Sequence, residues 1–318
     1  MIESGECGDV VLLGYACDEG VRRNGGRVGS AGGPAAVRKQ LARMGTVENP
    51  EHGIDLRHSI RISDAGDVAL PADASDLSAA HAELQRRVRG IVQAGKVPFV
   101  IGGGNDQSVA NAFGLLDAKQ RESSLRVGVV NIDAHFDVRP LLQPGNLAHS
   151  GSPFRQLLDS GRVSGRDFVE FAAQGNQCSA EHLRYLQSLH ANVVWMSAIR
   201  ASHSPAVELF KDWLNRLAQS CSDIFVSFDI DAISGADAPG VSAVATYGLS
   251  AQDALEIAFA AGAHEKVALF DVSEFNPLVE EHRTARLVVN MFYYFAMGLA
   301  SRQPSDRLRS AVQQPQKN

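Results

Sequence analysis

The chain has little cysteine, no long apolar run and no surplus of positive charge. Its four cysteines (Cys7, Cys17, Cys178 and Cys221) lie far apart in 318 residues and form no C-x-x-C pair. That argues against a disulfide framework or a thiolate metal site and for reduced thiols in a cytoplasmic chain. No apolar stretch reaches the ~20 residues of a membrane helix, so no membrane partner is expected. The start, MIESGECGDV, has neither the basic residues nor the apolar segment of a secretory signal. A formal net charge of −6 argues against a nucleic-acid partner, which needs a basic face. Repeats and low-complexity linkers are missing as well. Length alone allows two domains of about 150 residues or one large one. With no linker, the reading is one domain over residues 1–302 and a disordered tail over 303–318.

What is present fits an enzyme with a substantial core: 45% hydrophobic and 21% charged residues. Apolar runs of strand type fall at Val10–Tyr15, Ile60–Ile62, Val97–Ile101, Val127–Ile132, Phe168–Phe171, Val193–Met196, Ile224–Ile230 and Val267–Val272. Helical patterns lie between them at Pro34–Met44, Leu77–Gln93, Gln107–Leu116, Ala180–Leu189, Ala206–Ala218, Ala251–Ala261 and Glu280–Ala300. Pro34 suits a first helical turn, and Ser250 suits an N-cap. Alternating β and α predicts an α/β fold, a mostly parallel sheet with helices on both faces. Sites in such sheets lie beyond the carboxyl ends of the strands.

Two acidic runs occupy that place. Asn131-Ile132-Asp133-Ala134-His135-Phe136-Asp137 follows RVGVV, and Ser227-Phe228-Asp229-Ile230-Asp231 follows IFVSF. If the extended backbone persists, alternation turns Asp133, His135 and Asp137 to one side, and Asp229 and Asp231 to another common side. Four carboxylates and an imidazole in one crevice repel one another unless a cation sits among them. Oxygen and nitrogen donors without thiolate suit Mn²⁺, and the pair of runs predicts a two-metal hydrolytic site. The run Gly102-Gly103-Gly104-Asn105-Asp106 lacks the Lys and Ser/Thr of a phosphate loop. A tight turn or a close backbone approach remains for it. The glycine-rich run Asn24–Gly29 reads by itself as a surface loop.

Taken in order, GVRRNGGRVGSAGGPAAVR, IGGGND, NIDAHFD, SFDIDA and DVSEFNP resemble the ureohydrolase family, which includes arginase and agmatinase. The resemblance runs from about Gly20 to Pro277. Three glycines, Phe136, the stretch Ser150-Gly151-Ser152-Pro153-Phe154-Arg155-Gln156, and Ala238-Pro239-Gly240-Val241-Ser242-Ala243 resemble its formimidoylglutamase branch. The resemblance implies a three-layer αβα sandwich around an eight-stranded, mainly parallel sheet. It also implies two Mn²⁺ ions whose bridging hydroxide attacks an amidine carbon, and a homo-oligomer, trimer or hexamer.

By motif position, Asp133 and Asp229 would bridge both ions, His135 and Asp231 would complete one site, and Asp137 and Asn105 the other. Most relatives carry His where this chain has Asn105. A neutral amide is the weaker ligand, so that site is expected to be weak or empty. Asp106 could substitute only if the loop turns it inward. Glu274 matches the carboxylate that pairs with the amidinium and aligns it for attack. The proton-shuttle position falls on His149 or Ser150, depending on the anchor from which one counts. Arginases place aspartates where this chain has Ala201-Ser202-His203, which removes a partner for an α-ammonium. Arg139, with Arg155, Arg200 and Ser150, would instead bind a small-molecule substrate bearing carboxylates.

The expected activity is hydrolysis of N-formimino-L-glutamate to L-glutamate and formamide, in histidine catabolism. One alternative is another amidinohydrolase acting on a carboxylate-bearing guanidino compound such as guanidinobutyrate. Another is a weakly active regulatory or binding member of the family.

Overall fold

Strand and helix patterns alternate in the computed structural model as they do in the sequence. It describes residues 2–45, 47–73, 75–119 and 126–302; the tail expected at 303–318 lies outside them. The strands are β1 (Ile2–Ser4), β2 (Val10–Tyr15), β3 (Glu48–Asn49), β4 (Ile54–Asp55), β5 (Ile62–Asp67), β6 (Val97–Gly102), β7 (Val127–Ile132), β8 (Phe168–Ala173), β9 (Asn192–Trp195), β10 (Asp223–Asp229) and β11 (Val267–Ser273). The helices are α1 (Glu19–Arg23), α2 (Gly33–Leu41), α3 (Leu56–Ser59), α4 (Leu77–Gln93), α5 (Gln107–Lys119), α6 (Pro153–Asp159), α7 (Ala180–Ser188), α8 (Met196–Ala201), α9 (Ala206–Ser220), α10 (Ala251–Ala263) and α11 (His282–Ser301).

Strands β3 and β4 form a small antiparallel pair. The other nine make one parallel sheet in the order β1-β5-β2-β6-β11-β10-β7-β8-β9. Eight strands were expected. The ninth, β1, is a three-residue edge strand, Ile-Glu-Ser, part-buried at Ile2 and exposed at Glu3 and Ser4, too short and polar for a periodicity to mark. Strand β5 also begins where the candidate Ile60–Ile62 ends. Its sequence ISDAGD is only half buried toward its end, because a strand near an edge needs no continuous apolar run.

Alternation along the central strands divides the core into two layers. Val10 and Leu12 of β2 face the core built with α2, α8, α9, α10 and α11. Val11 and Leu13 face the core built with α4, α5, α6 and α7. Ile224, Val226 and Phe228 against Phe225 repeat the division on β10. This is the three-layer sandwich. Ser250 caps α10 with Asp253 in a reciprocal capping box, and Pro34 sits in the first turn of α2. No helix among the described residues is long and apolar enough to cross a membrane.

The chain path positions the site. After β6 it lays β7 three places away, and it returns much later to fill the gap with β11 and β10. Two acidic runs nearly a hundred residues apart thus end on adjacent strands, with Phe228 beside Ile132 and Asp229 beside Ser273.

Candidate metal centre and substrate cavity

The acidic side chains converge through tight turns rather than through strand alternation, which corrects the expectation of a persisting extended backbone. Strand β7 stops at Ile132. Asp133 Oδ1 then accepts from the His135 amide at 2.6 Å, and Asp137 takes a left-handed backbone at φ 46°. Asp229 ends β10 and caps a 3-10 turn over Ile230–Ala232, its Oδ1 accepting from Asp231 N at 2.9 Å. An Asp that bonds the second amide ahead bends the chain locally. Glu274 follows β11 at φ 64°, a conformation that costs about 1 kcal/mol for a residue with a Cβ. Its N–H donates to Gly103 O at 2.8 Å, and its Oε1 accepts from Asn105 N at 2.9 Å.

Two sets of candidate ligand atoms result, each within 4.8 Å of one another: Asp133 with His135 and Asp231, and Asp133 with Asp137 and Asp229. His135 Nδ1 lies 3.2 Å from Asp133 Oδ1 and 3.3 Å from Asp231 Oδ2. Asp231, with Asp133 behind it, raises the His135 pKa far above the imidazole range. Burial, and then the neighbouring carboxylates, pushes Asp229 well above its usual range and Asp137 up to about 8. Burial likewise raises Glu274. Only Asp133 is lowered, its burial outweighed by its bonds to His135. Such a cluster needs positive charge. Asp231 Oδ1 is buried without a hydrogen-bond partner, and the donor set is oxygen with one imidazole nitrogen. These residues fit a divalent cation such as Mn²⁺.

Asn105 meets the same cluster with its other end. Its Nδ2 donates to Asp137 Oδ2 at 2.8 Å and points to Asp133 Oδ2 at 3.4 Å. Its Oδ1 accepts from Ser108 Oγ at 2.8 Å and Ser273 Oγ at 3.1 Å. In this orientation the expected ligand oxygen faces away from the carboxylates. Asp106, fully buried, pairs instead with His81 Nε2 at 2.8 Å and joins neither set of candidate ligands, so it does not replace the missing ligand. The triple glycine serves close approach: a Cβ on Gly103 would stand 1.9 Å from Cys17 O.

Beside the cluster lies a cavity of about 170 Å³ lined by His135, Asp137, Asp229, Asp231 and Glu274. Asn24, Arg139, Ser150 and Ser242 also line it. Of the expected substrate residues, Arg139 and Ser150 therefore reach it. The rest do not. Arg155 pairs with Asp159 at 2.7 Å and lies 4.0 Å over the Tyr185 ring, beside a different cavity. Arg200 donates to Gly248 O and lies 3.5 Å from Asp253, because β9 gives way to α8 and carries it off.

His149 is 1% exposed. Its Nε2 meets Pro140 O at 3.1 Å and its Nδ1 accepts from Gly151 N at 3.2 Å, so both ring nitrogens are spent on backbone. Burial lowers its pKa. It pins the 140–151 loop and does not face the cavity, which corrects its assignment as a shuttle. His149→Gln should cost about 1–2 kcal/mol of stability, the scale of imperfectly replaced buried hydrogen bonds, while kcat stays within a factor of a few. A kcat collapse at full folding and metal content would return His149 to the chemistry.

Asn24 lies in a run whose sequence reads as a surface loop. It closes α1 and turns its side chain into the cavity. Nothing local in an Asn-Gly-Gly run signals that. Ser242, far off in sequence, arrives only through the tertiary fold, its Oγ accepting from Arg27 N at 2.8 Å. The four cysteines are free thiols, as expected.

Comparison with known proteins agrees with this architecture. The model of the arginase family matches residues 8–298. The formimidoylglutamase of Aeromonas salmonicida is 34% identical over 288 residues, covering 89% of this chain and 85% of the relative. A formiminoglutamase of Trypanosoma cruzi solved with Mn²⁺ superposes with a TM-score of 0.85 at 44% identity, covering 93% of this chain and 94% of that one. The proclavaminate amidino hydrolase of Streptomyces clavuligerus follows at 26% identity and TM-score 0.78, covering 95% and 96%.

Proposed function

Because this chain is a hydrolase that belongs to the arginase family, we propose that it cleaves N-formimino-L-glutamate to L-glutamate and formamide. The observation that carries the reading is one cavity lined both by the acidic cluster with Glu274 and by Arg139. The relatives named for that activity support it.

In this reading Asp133, His135 and Asp231 would hold one Mn²⁺, and Asp133, Asp137 and Asp229 would hold a second. Mn²⁺ at these positions supplies a hydroxide nucleophile at neutral pH and polarises the amidine. Glu274 accepts from the amidinium N–H groups and aims its carbon at the carboxylate cluster. Arg139 and the Ser150 hydroxyl take a carboxylate at the far end of the substrate. That division of charge selects a cationic head with an anionic tail and rejects agmatine, whose tail is an ammonium. We extend the proposal to the setting: a step of histidine breakdown, in the cytoplasm, by one domain through Arg302 in a homo-oligomer, trimer or hexamer.

The test is a product assay under Mn²⁺ titration with formiminoglutamate, guanidinobutyrate, arginine and agmatine. Formamide from the first alone is the expected result. Urea from guanidinobutyrate, with formiminoglutamate inert, would replace this reading by a guanidino hydrolase. No turnover of any substrate at full metal loading would leave a binding or regulatory role.

A separate expectation concerns the metal. Asn105 offers its NH₂ to Asp137 and must turn over to offer oxygen, so the Asp137–Asp229 site should fill poorly. Purified protein should hold fewer than two ions per chain, and Asn105→His should raise the content toward two. Two tightly held ions in the unaltered chain would remove this argument.

A further inference from the structure

Asn24 spends both ends of its amide on residues of the cavity. Its Oδ1 accepts from Arg139 Nη1 at 3.1 Å, and its Nδ2 donates to Ser150 Oγ at 3.1 Å. The orientation follows from chemistry, because a guanidinium can only donate and so must face the amide oxygen. A serine hydroxyl that accepts from Asn24 keeps its single proton for another partner. Ser150 lines the cavity, so the proton is available there.

The backbone under Asn24 is held in place. As the C-cap of α1 it donates its own N–H to Gly20 O at 3.0 Å, and Ser150 N donates to the same Gly20 O at 3.0 Å. Arg23 Nη1 reaches Ala148 O at 3.1 Å. The end of α1 is thereby sewn to the loop that carries Arg139 and Ser150. Gly151 leaves the room required, since a Cβ there would stand 2.9 Å from Arg139 Cδ and 3.2 Å from Asn24 Nδ2. Asn24 supplies the side-chain hydrogen bond that Arg139 makes among the described residues.

We propose that Asn24 is a positioning residue that sets the Arg139 guanidinium and the Ser150 hydroxyl as joint donors to one substrate carboxylate. The proposal rests on the reading of Arg139 as that carboxylate's partner. Asn24 itself touches neither the acidic cluster nor Glu274 through any hydrogen bond described here. Its loss should therefore act on binding, with the chemical step spared.

The test is a double-mutant cycle on the full chain, with KM and kcat for formiminoglutamate, metal content and melting temperature measured for each variant. Asn24→Ala should raise KM about tenfold, the scale of two net hydrogen bonds, with kcat and metal content kept. In an Arg139→Ala background the same change should add only a small further loss, because the residue it positions is gone. Asn24→Asp gives the sharper contrast. It is isosteric and can hold Arg139, but it adds a negative charge and draws the Ser150 proton away from the cavity. Its KM should exceed that of Asn24→Ala.

Additive effects in the cycle would overturn the proposal. An Asn24→Asp variant that behaves like the unaltered chain would also overturn it, leaving a mere brace for the loop. If Arg139→Ala raises KM and Asn24→Ala does not, the positioning role alone falls. If Arg139→Ala leaves KM unchanged, the reading beneath it falls as well.

Discussion

Glu274→Gln should lower kcat by at least about 10²-fold while metal content, fold and melting temperature hold, because loss of alignment alone can cost that much. The substitution separates two roles that the same atoms could serve. One is structural: Glu274 Oε1 accepts from Asn105 N at 2.9 Å, and its backbone N–H bonds Gly103 O. A glutamine carbonyl keeps the first bond, and the second does not involve the side chain. If bracing the glycine loop were the whole task, turnover would survive. The other role is electrostatic. A planar amidinium presents two N–H groups to a carboxylate that can accept both, and a neutral amide offers only one good acceptor beside a donor that clashes. Burial makes the charge matter more, since Glu274 is 8% exposed and little water screens the pair. Metal analysis must accompany the kinetics, because a carboxylate next to a metal site can also support it from outside. Near-normal turnover at full metal content would remove Glu274 from the mechanism, along with the main argument for an amidine substrate.

The parts of this site legible in the sequence are those fixed by strand ends. Asp133, Asp229 and Glu274 each stand at or just past the carboxyl end of a strand whose apolar run is plain. A parallel sheet gathers such positions on one edge. What the strands cannot fix is the direction of a side chain after the strand has ended. Asp137 arrives through a left-handed residue and not by alternation, and His149 faces its own loop because the backbone there satisfies both of its nitrogens. The arginines show the same limit from the side of charge. A cation is expected wherever an anion must be held, but Arg155 and Arg200 find local partners first. Asn24 was the reverse case, an unremarkable polar residue whose role depends on a loop more than a hundred residues away.

Arg139→Ala should raise KM for formiminoglutamate by about 1.5–3 kcal/mol in binding terms, the scale of a charge-assisted hydrogen bond, with kcat little changed. The exposure of Arg139 puts the expected cost at the lower end, and added salt should shrink it further by screening. KM rather than kcat should move because Arg139 lines the cavity and, in the proposed reading, meets the substrate carboxylate rather than the reacting amidine. It therefore grips ground state and transition state alike, which is uniform binding. Arg139→Lys offers a graded check. The charge stays, but the planar fork and its fit to both Asn24 and a carboxylate are lost, so only part of the affinity should return. Substrates divide the outcome again: a compound without a carboxylate at that end should be indifferent to the substitution. An unchanged KM for formiminoglutamate in Arg139→Ala would move the carboxylate site elsewhere. Arg155, already paired with Asp159, and Arg200, bound to Gly248 O, would be poor successors, so the preference for an anionic tail would itself have to be given up.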